Sequence, residues 1–235
     1  MKIVIYIYNG MTMLDAIGPY EVLRNLKKAD IKLVAKKKGK IIADSKVVHL
    51  DAQYGIEEID QADILLIPGS GLAFLQEAKE KKVLDWIRTI NATTQKTVTV
   101  CTGSVILAAT GLLNGKDATT HWGAMKMLAK YGANPVHQRY VEQGKFITAA
   151  GVSAGIDMAI YLVHLLQGEK SAKAAQLAIE YDPAPMYHSG NVQTCAPEIK
   201  KLAEKQMEAM ALHELSFLDK MKQAGSIITM LKNKS

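Results

Sequence analysis

Short runs of apolar and β-branched residues alternate with segments of helical periodicity, and this alternation restricts the possible folds most. The runs are Ile3–Tyr8, Asp63–Ile67 and Thr97–Val100. Runs of this length without a polar face are typical of strands buried on both sides of a sheet. The intervening segments Leu14–Lys28 and Leu72–Asn91 have helical patterns. Strands that alternate with helices predict an α/β fold, with a mostly parallel sheet and helices on both faces.

The remaining segments complete one predicted domain over residues 1–235, with a helical C-terminal extension from about residue 191. The extension has an apolar edge at Leu212, Leu215, Leu218 and Met221. The other predicted elements are a strand at Ile31–Ala35, a hairpin arm at Ile41–Leu50, a helix at Gly103–Leu113, a β-hairpin that pairs Tyr140–Val141 with Phe146–Thr148, and helices at Ala154–Leu166 and Ser171–Ile179.

The amino-acid composition limits the classes of binding partner and the cellular compartment that we expect. The chain has 235 residues, of which 49% are hydrophobic and 22% charged, so it can bury a core without disulfides or metal. Two cysteines and the lack of an export signal predict a reducing cytoplasm, and no apolar run is long enough for a membrane span. The net charge is +6, but the lysines are dispersed except at Lys36–Lys40, where Gly39 predicts a solvated turn. We therefore expect neither nucleic-acid nor membrane partners.

Chemically distinctive residues follow several of the predicted strands. Asp15 comes after the first strand, Gly69-Ser70-Gly71 after the third, Cys101-Thr102-Gly103 after the fourth, and Thr119-Thr120-His121 after a short polar segment. The carboxyl ends of parallel strands open on one edge of a sheet, where ligands bind. These residues are therefore predicted to converge there.

Cys101 is the sharpest single feature, since it lies between a buried strand and a helix that begins Thr-Gly-Ser. A tight strand-to-helix turn would expose its side chain as in a nucleophile elbow. A helix N-terminus would favour the thiolate by lowering the thiol pKa, and Gly103 would permit close backbone passage. The alternative is a buried, inert cysteine.

The other candidates have structural alternatives too. Asp15 could shuttle a proton beside the cysteine, or it could be a first-turn helix acid. The Gly69-Ser70-Gly71 loop could direct N–H groups at a developing anion, and His121 could transfer a proton or cap a helix. No metal-ligand spacing, phosphate loop or dinucleotide fingerprint is present in the sequence, so neither a metal nor a cofactor is predicted.

Taken together, these motifs resemble the ThiJ/PfpI superfamily, whose fold is flavodoxin-like and related to class I glutamine amidotransferases. Within it, the chain is most similar to the isonitrile hydratases. The matching stretches are Leu14–Leu23, Ile67–Gly71, Val100–Ser104, Gly111–Lys116, Ala118–Trp122, Ala154–Asp157 and, for the hydratase branch, Glu180–Pro185.

The resemblance implies cysteine-dependent hydration of an isonitrile, a small-molecule substrate, to an N-substituted formamide by a homodimer without cofactor. It implies a nucleophile at Cys101, an acid at Asp15 and an assisting hydroxyl at Thr102. Backbone amides near Ser70 and Thr102 would form an anion pocket, with Gly69 and Gly71 in the same loop. His121 matches a histidine that lies near the cysteine in relatives.

Two departures from the family pattern bear on the activity. Ser70 stands where a glycine is common, so a positive φ there would be strained. Thr102 replaces the histidine of protease-like members, which disfavours peptidase activity. The alternatives are conversion of small carbonyl compounds, as in a glyoxalase or an amidase, and a non-catalytic redox- or ligand-sensing module. The roughly 45 residues after Gly190 are too few for a DNA-binding domain with two motifs.

Overall fold

The computed structural model describes residues 1–212. The chain divides into two compact units, Met1–Pro183 and Ala184–Ser235. In the second unit, residues 184–196 are turns and irregular backbone, and residues 197–212 are helical. The helix predicted from residue 191 is therefore observed from 197 onward.

Three positions of the predicted apolar edge of the extension, Leu215, Leu218 and Met221, lie outside the described residues. The assignment of residues 1–235 to one domain stays a prediction.

The first unit contains eleven strands and six helices. In chain order they are β1 (Lys2–Tyr6), α1 (Met13–Leu23), β2 (Asp30–Ala35), β3 (Gly39–Ile42), β4 (His49–Ala52), β5 (Tyr54–Gly55), β6 (Ile64–Ile67), α2 (Phe74–Glu77), α3 (Lys81–Thr93), β7 (Lys96–Val100), α4 (Gly103–Ala109), β8 (Asp117–Ala118), α5 (Met125–Lys130), β9 (Asn134–Pro135), β10 (Tyr140–Gln143), β11 (Phe146–Ala149) and α6 (Ala154–Ala178).

Seven strands form the central sheet in the order β10-β11-β7-β6-β1-β2-β5. Every neighbouring pair is parallel except β10 with β11. All four residues of β6 are buried, so both faces of the sheet are covered, as the apolar runs require. The predicted α/β fold is confirmed.

Several element boundaries differ from the predictions for local reasons. The helix predicted over Leu72–Asn91 is two helices, since Glu80 has extended backbone between α2 and α3. The two predicted C-terminal helices are nearly continuous and are separated only at Gly168, whose φ is +80°. The strands β5, β8 and β9 have two residues each, too few to give a periodic signal.

The lysine-rich segment is solvated, as predicted, but the turn between β2 and β3 covers only residues 36–38, because Gly39 and Lys40 already belong to β3. Residues 36–40 are all exposed. Lys36 forms an ion pair with Glu80, and Lys38 forms another with Glu58. Exposed pairs of this kind contribute little to stability, so the run is a surface feature. No helix in the described part of the chain is long and apolar enough to cross a bilayer.

The predicted convergence at the carboxyl ends of the strands is confirmed for the first, third and fourth predicted strands. Thr12 donates its backbone N–H to the Gly69 oxygen at 2.9 Å, which joins the loop after β1 to the loop after β6. A Cβ atom on Gly69 would lie 2.5 Å from the Thr102 nitrogen, which places the turn after β7 in direct contact with that loop.

Candidate active site

Cys101 occupies a strained turn between β7 and α4. Its φ is +56°, a left-handed conformation that L side chains rarely adopt. The backbone around it is held on both sides: its N–H donates to the Ala149 and Ala150 oxygens at 3.1 and 2.8 Å, and the Thr120 hydroxyl donates to its carbonyl oxygen at 2.7 Å. Strained residues fixed in this way cluster at functional sites, and the predicted tight turn is confirmed.

The predictions of an exposed side chain and a lowered thiol pKa at Cys101 are wrong. The residue is only 4% exposed and belongs to the buried core. Burial raises the pKa of the thiol well above its ordinary value, and the negative charge of Asp15 raises it further. A hydrogen bond from the Thr102 N–H lowers this pKa, but α4 has only seven residues and its N-terminus does not outweigh desolvation. The resting sulfur is therefore a thiol.

Asp15 faces this thiol from the first turn of α1 and is fully buried. Its Oδ2 atom accepts the Gly69 N–H at 2.9 Å. Its Oδ1 atom is buried without a hydrogen-bond partner of ordinary geometry anywhere in residues 1–212. Burial raises the pKa of Asp15 to about 7, while the Gly69 N–H and the Cys101 thiol lower it by a smaller amount. Near neutral pH the carboxyl can therefore both accept and donate a proton.

Thr102 ties its turn to the loop after β6 by a reciprocal pair of hydrogen bonds. The Ser70 N–H donates to Thr102 Oγ1 at 2.8 Å, and the Thr102 hydroxyl donates to the Ser70 oxygen at 2.9 Å. The Ser70 amide expected in the anion pocket is thus already engaged in this structure. Ser70 also has no positive φ, so the anticipated strain is absent there.

The Ser70 side chain joins the loop to α2. The Ser70 hydroxyl oxygen accepts the Phe74 N–H at 2.7 Å at the start of α2. Gly71 is exposed.

Two glycines permit the close packing of these turns. A Cβ atom on Gly69 would lie 2.8 Å from the Cys101 Cβ, and one on Gly103 would lie 2.1 Å from the Ile67 oxygen. Real Cβ atoms do not approach other heavy atoms so closely. The predicted close backbone passage at Gly103 is confirmed, and the Gly69 N–H reaches Asp15 because nothing larger than hydrogen separates the turns.

His121 takes the capping role that the sequence left open. Its Nδ1 atom accepts the Gly123 N–H at 3.2 Å at the start of a 3₁₀ turn, Trp122–Ala124. Burial lowers the pKa of His121, so the ring is neutral near pH 7 and carries its proton on Nε2. No hydrogen bond joins it to Cys101 or Asp15 in the described part of the chain.

Sequence reasoning missed four contacts around the site. The Tyr8 hydroxyl donates to the Pro68 oxygen at 3.1 Å, and the Thr12 hydroxyl donates to Asp44 Oδ2 at 2.7 Å. The Asp44 N–H donates to the Met11 oxygen at 3.0 Å. The hydroxyl of Thr120 holds the Cys101 carbonyl, as described above. Only the distinctive Thr119-Thr120-His121 segment gave a signal in advance, because the other contacts join elements distant in sequence.

The arrangement suits covalent chemistry on a neutral ligand. A thiol and a carboxyl share a buried site and can exchange one proton, and one carboxyl oxygen remains unpartnered. No group of three His, Cys, Asp or Glu side chains among residues 1–212 could hold a metal ion. Cys195, the other cysteine, is free and lies in the second unit.

The fold and this turn define a class of flavodoxin-like α/β proteins with a cysteine immediately after a central strand. The chain belongs to the DJ-1/PfpI family, which matches residues 1–165. It is 36% identical over 206 residues to an isonitrile hydratase of Pseudomonas putida, covering 87% of this chain and 89% of that protein.

Two solved structures have a similar fold. A ThiJ/PfpI family protein from Pseudomonas syringae superimposes with a TM-score of 0.82 at 32% identity, covering 89% of this chain and 90% of that one. Drosophila melanogaster DJ-1beta shares the fold at 17% identity with a TM-score of 0.70, covering 77% of this chain and 98% of its own.

Proposed function

We propose that the protein hydrates an isonitrile to an N-substituted formamide, with Cys101 as nucleophile and Asp15 as proton carrier. The observation that carries the proposal is the buried Asp15 carboxyl, which faces the thiol and keeps Oδ1 without a partner within residues 1–212. The 36% identity to the Pseudomonas putida isonitrile hydratase supports the choice of substrate.

In the first step, the sulfur and the proton of the thiol both add to the terminal isonitrile carbon. This carbon is both electrophilic and basic, so it can accept sulfur and a proton together. The Cys101 S–H bond breaks, a C–S bond forms, and Asp15 passes the thiol proton to the carbon. The product is a thioimidate, R–N=CH–S–Cys101. A resting thiol with a raised pKa fits this step, because the proton that sulfur loses is the one that carbon needs.

Water completes the reaction in two further steps. Asp15 takes a proton from water while the oxygen bonds to the carbon, and it delivers that proton to nitrogen. The hydroxyl of the tetrahedral intermediate then loses its proton to Asp15, the C–S bond breaks, and the proton returns to sulfur. The net change is one isonitrile and one water converted to one formamide. Covalent catalysis replaces one difficult addition with easier ones, and positioned proton transfer contributes roughly 10²–10⁴-fold.

Thr102 acts on the loop in this scheme. Both polar functions of its hydroxyl bond to Ser70, so it holds the loop that directs the Gly69 N–H at Asp15. The low exposure of Cys101 matches a linear, two-atom isonitrile group, which needs only a narrow approach to the sulfur.

The test is hydration of cyclohexyl isonitrile by the purified chain, followed as the formamide by mass spectrometry. Cys101→Ala should abolish turnover and Asp15→Asn should nearly do so, while Cys195→Ser serves as the matched cysteine control and should retain activity. Rapid quenching should trap a Cys101 adduct with the mass of the whole isonitrile. Full activity in Cys101→Ala would refute the mechanism.

Parallel assays separate the alternatives and the assembly state. Turnover of methylglyoxal without turnover of the isonitrile would replace the hydratase by a glyoxalase. Oxidation of Cys101 by mild peroxide without turnover of any substrate would favour a sensor. The homodimer is tested by light scattering.

A further inference from the structure

The hairpin formed by β3 and β4 lies against the loop that leads into α1. The Gly10 N–H donates to the Ile42 oxygen at 2.8 Å, and the Asp44 N–H donates to the Met11 oxygen at 3.0 Å. In return, the Ile42 N–H donates to Asn9 Oδ1 at 2.9 Å. The turn after β3 is therefore attached to the segment that carries Asp15.

Asp44 is held in this turn by two hydrogen bonds to its carboxyl oxygens. Its Oδ2 atom accepts the Thr12 hydroxyl at 2.7 Å, and its Oδ1 atom accepts the Ser45 N–H at 2.7 Å. Neither of these two donors carries a charge. Uncharged donors do not cancel the negative charge of a half-buried carboxylate, so this charge acts on neighbouring groups.

Thr12 connects this carboxylate to both sides of the site. The Asp15 N–H donates to the Thr12 oxygen at 3.1 Å, and the Thr12 N–H donates to the Gly69 oxygen at 2.9 Å. The Gly69 N–H in turn bonds to the Asp15 carboxyl. Asp44 therefore bonds directly to Thr12, the residue that connects Asp15 to the Gly69 loop.

We propose that Asp44 is a positioning residue: its bond to Thr12 fixes the loop under Asp15, and its negative charge makes the Asp15 carboxylate a stronger proton acceptor towards the Cys101 thiol. The inference rests on the proposed function, in which Asp15 takes the proton of the Cys101 thiol and passes it to the isonitrile carbon. An ordinary carboxylate would be a weak base towards this thiol.

The groups around Asp15 support this role. The titratable groups that face it are Cys101, Asp44 and Tyr8. Burial is the largest cause of its raised pKa, and the charge of Asp44 raises that pKa further.

The kinetic experiment measures kcat/KM for cyclohexyl isonitrile from pH 5 to pH 9. Protonation of Asp15 in the free enzyme sets the acid limb. Asp44→Asn removes the charge but keeps an acceptor oxygen, so we expect its acid limb at lower pH and a higher fraction of its plateau rate at pH 6. Asp44→Glu keeps the charge, so its acid limb should return to the pH of the wild-type limb.

Asp51→Asn is the matched control, because it removes an exposed carboxylate from β4 of the same hairpin. Its profile should follow the wild type. An unmoved acid limb in an active Asp44→Asn enzyme, or an equal shift in Asp51→Asn, would overturn the inference.

A second readout does not depend on turnover. Infrared difference spectra, assigned with Asp15→Asn, follow the protonated carboxyl band of Asp15 against pH. The midpoint should lie at lower pH in Asp44→Asn than in the wild type and in Asp51→Asn. If the wild type hydrates no isonitrile but this midpoint moves, the proposed function fails and the electrostatic role of Asp44 stands. If the midpoint does not move, the role of Asp44 fails.

Discussion

Replacing Asp15 by asparagine should cost activity but raise stability at alkaline pH. Burial raises the pKa of Asp15 from 3.8 to about 7, so the folded state binds this proton more tightly than the unfolded chain. The carboxyl costs no stability below pH 3.8, the cost grows as pH rises, and it is complete above about pH 7. A difference of 7 − 3.8 = 3.2 units, at 1.36 kcal/mol each, corresponds to roughly 4 kcal/mol.

Urea unfolding of both proteins from pH 5 to pH 8 measures this cost. The linkage relation places about 2.5 kcal/mol of it in that interval, so the stability of Asp15→Asn relative to the wild type should rise by that order. Taking the difference between the two proteins cancels the other titrating groups, and Asp51→Asn controls for loss of one carboxylate. A difference that stays constant with pH would show that Asp15 has an ordinary pKa and would refute the reasoning.

Three further outcomes follow from the site. Gly103→Ala should lower the free energy of unfolding by about 3 kcal/mol or more in urea titrations, because its Cβ would lie 2.1 Å from the Ile67 oxygen; an undiminished midpoint would contradict the packing. Thr102→Val should reduce kcat roughly 10- to 100-fold, as expected when a catalytic group is slightly misplaced, because Ser70 loses two hydrogen bonds; Thr102→Ser should retain most activity. Alkylation of Cys101 by iodoacetamide should still accelerate above pH 9, since its thiol pKa is raised; a plateau reached below pH 7 would indicate a resting thiolate.

The sheet and the nucleophile turn were predictable because local sequence determines them. Ile64–Ile67 has no polar face, and such a run is stable only between two covering layers. Cys101 and Gly103 follow a strand directly, so the tight turn was evident from their order. Gly103 also marks a close approach that no side chain could make.

The environment of the site could not be predicted because contacts between distant segments create it. The burial of Cys101 depends on Asp15 and Gly69, which are far from it in sequence. The engagement of the Ser70 amide depends on the rotamer of Thr102. The position of Asp44 depends on where the β3–β4 hairpin packs, and a single carboxylate in a short turn gives no such signal.

The backbone conformation of Cys101 also bears on how this position evolves. A residue other than glycine at φ +56° costs on the order of 1–3 kcal/mol, whereas glycine adopts the conformation freely. A laboratory selection for heat resistance alone should therefore enrich glycine at this codon. A selection that also requires turnover should retain cysteine despite this conformational cost. Sequencing the survivors of both selections would therefore show whether heat resistance and catalysis favour different residues at position 101.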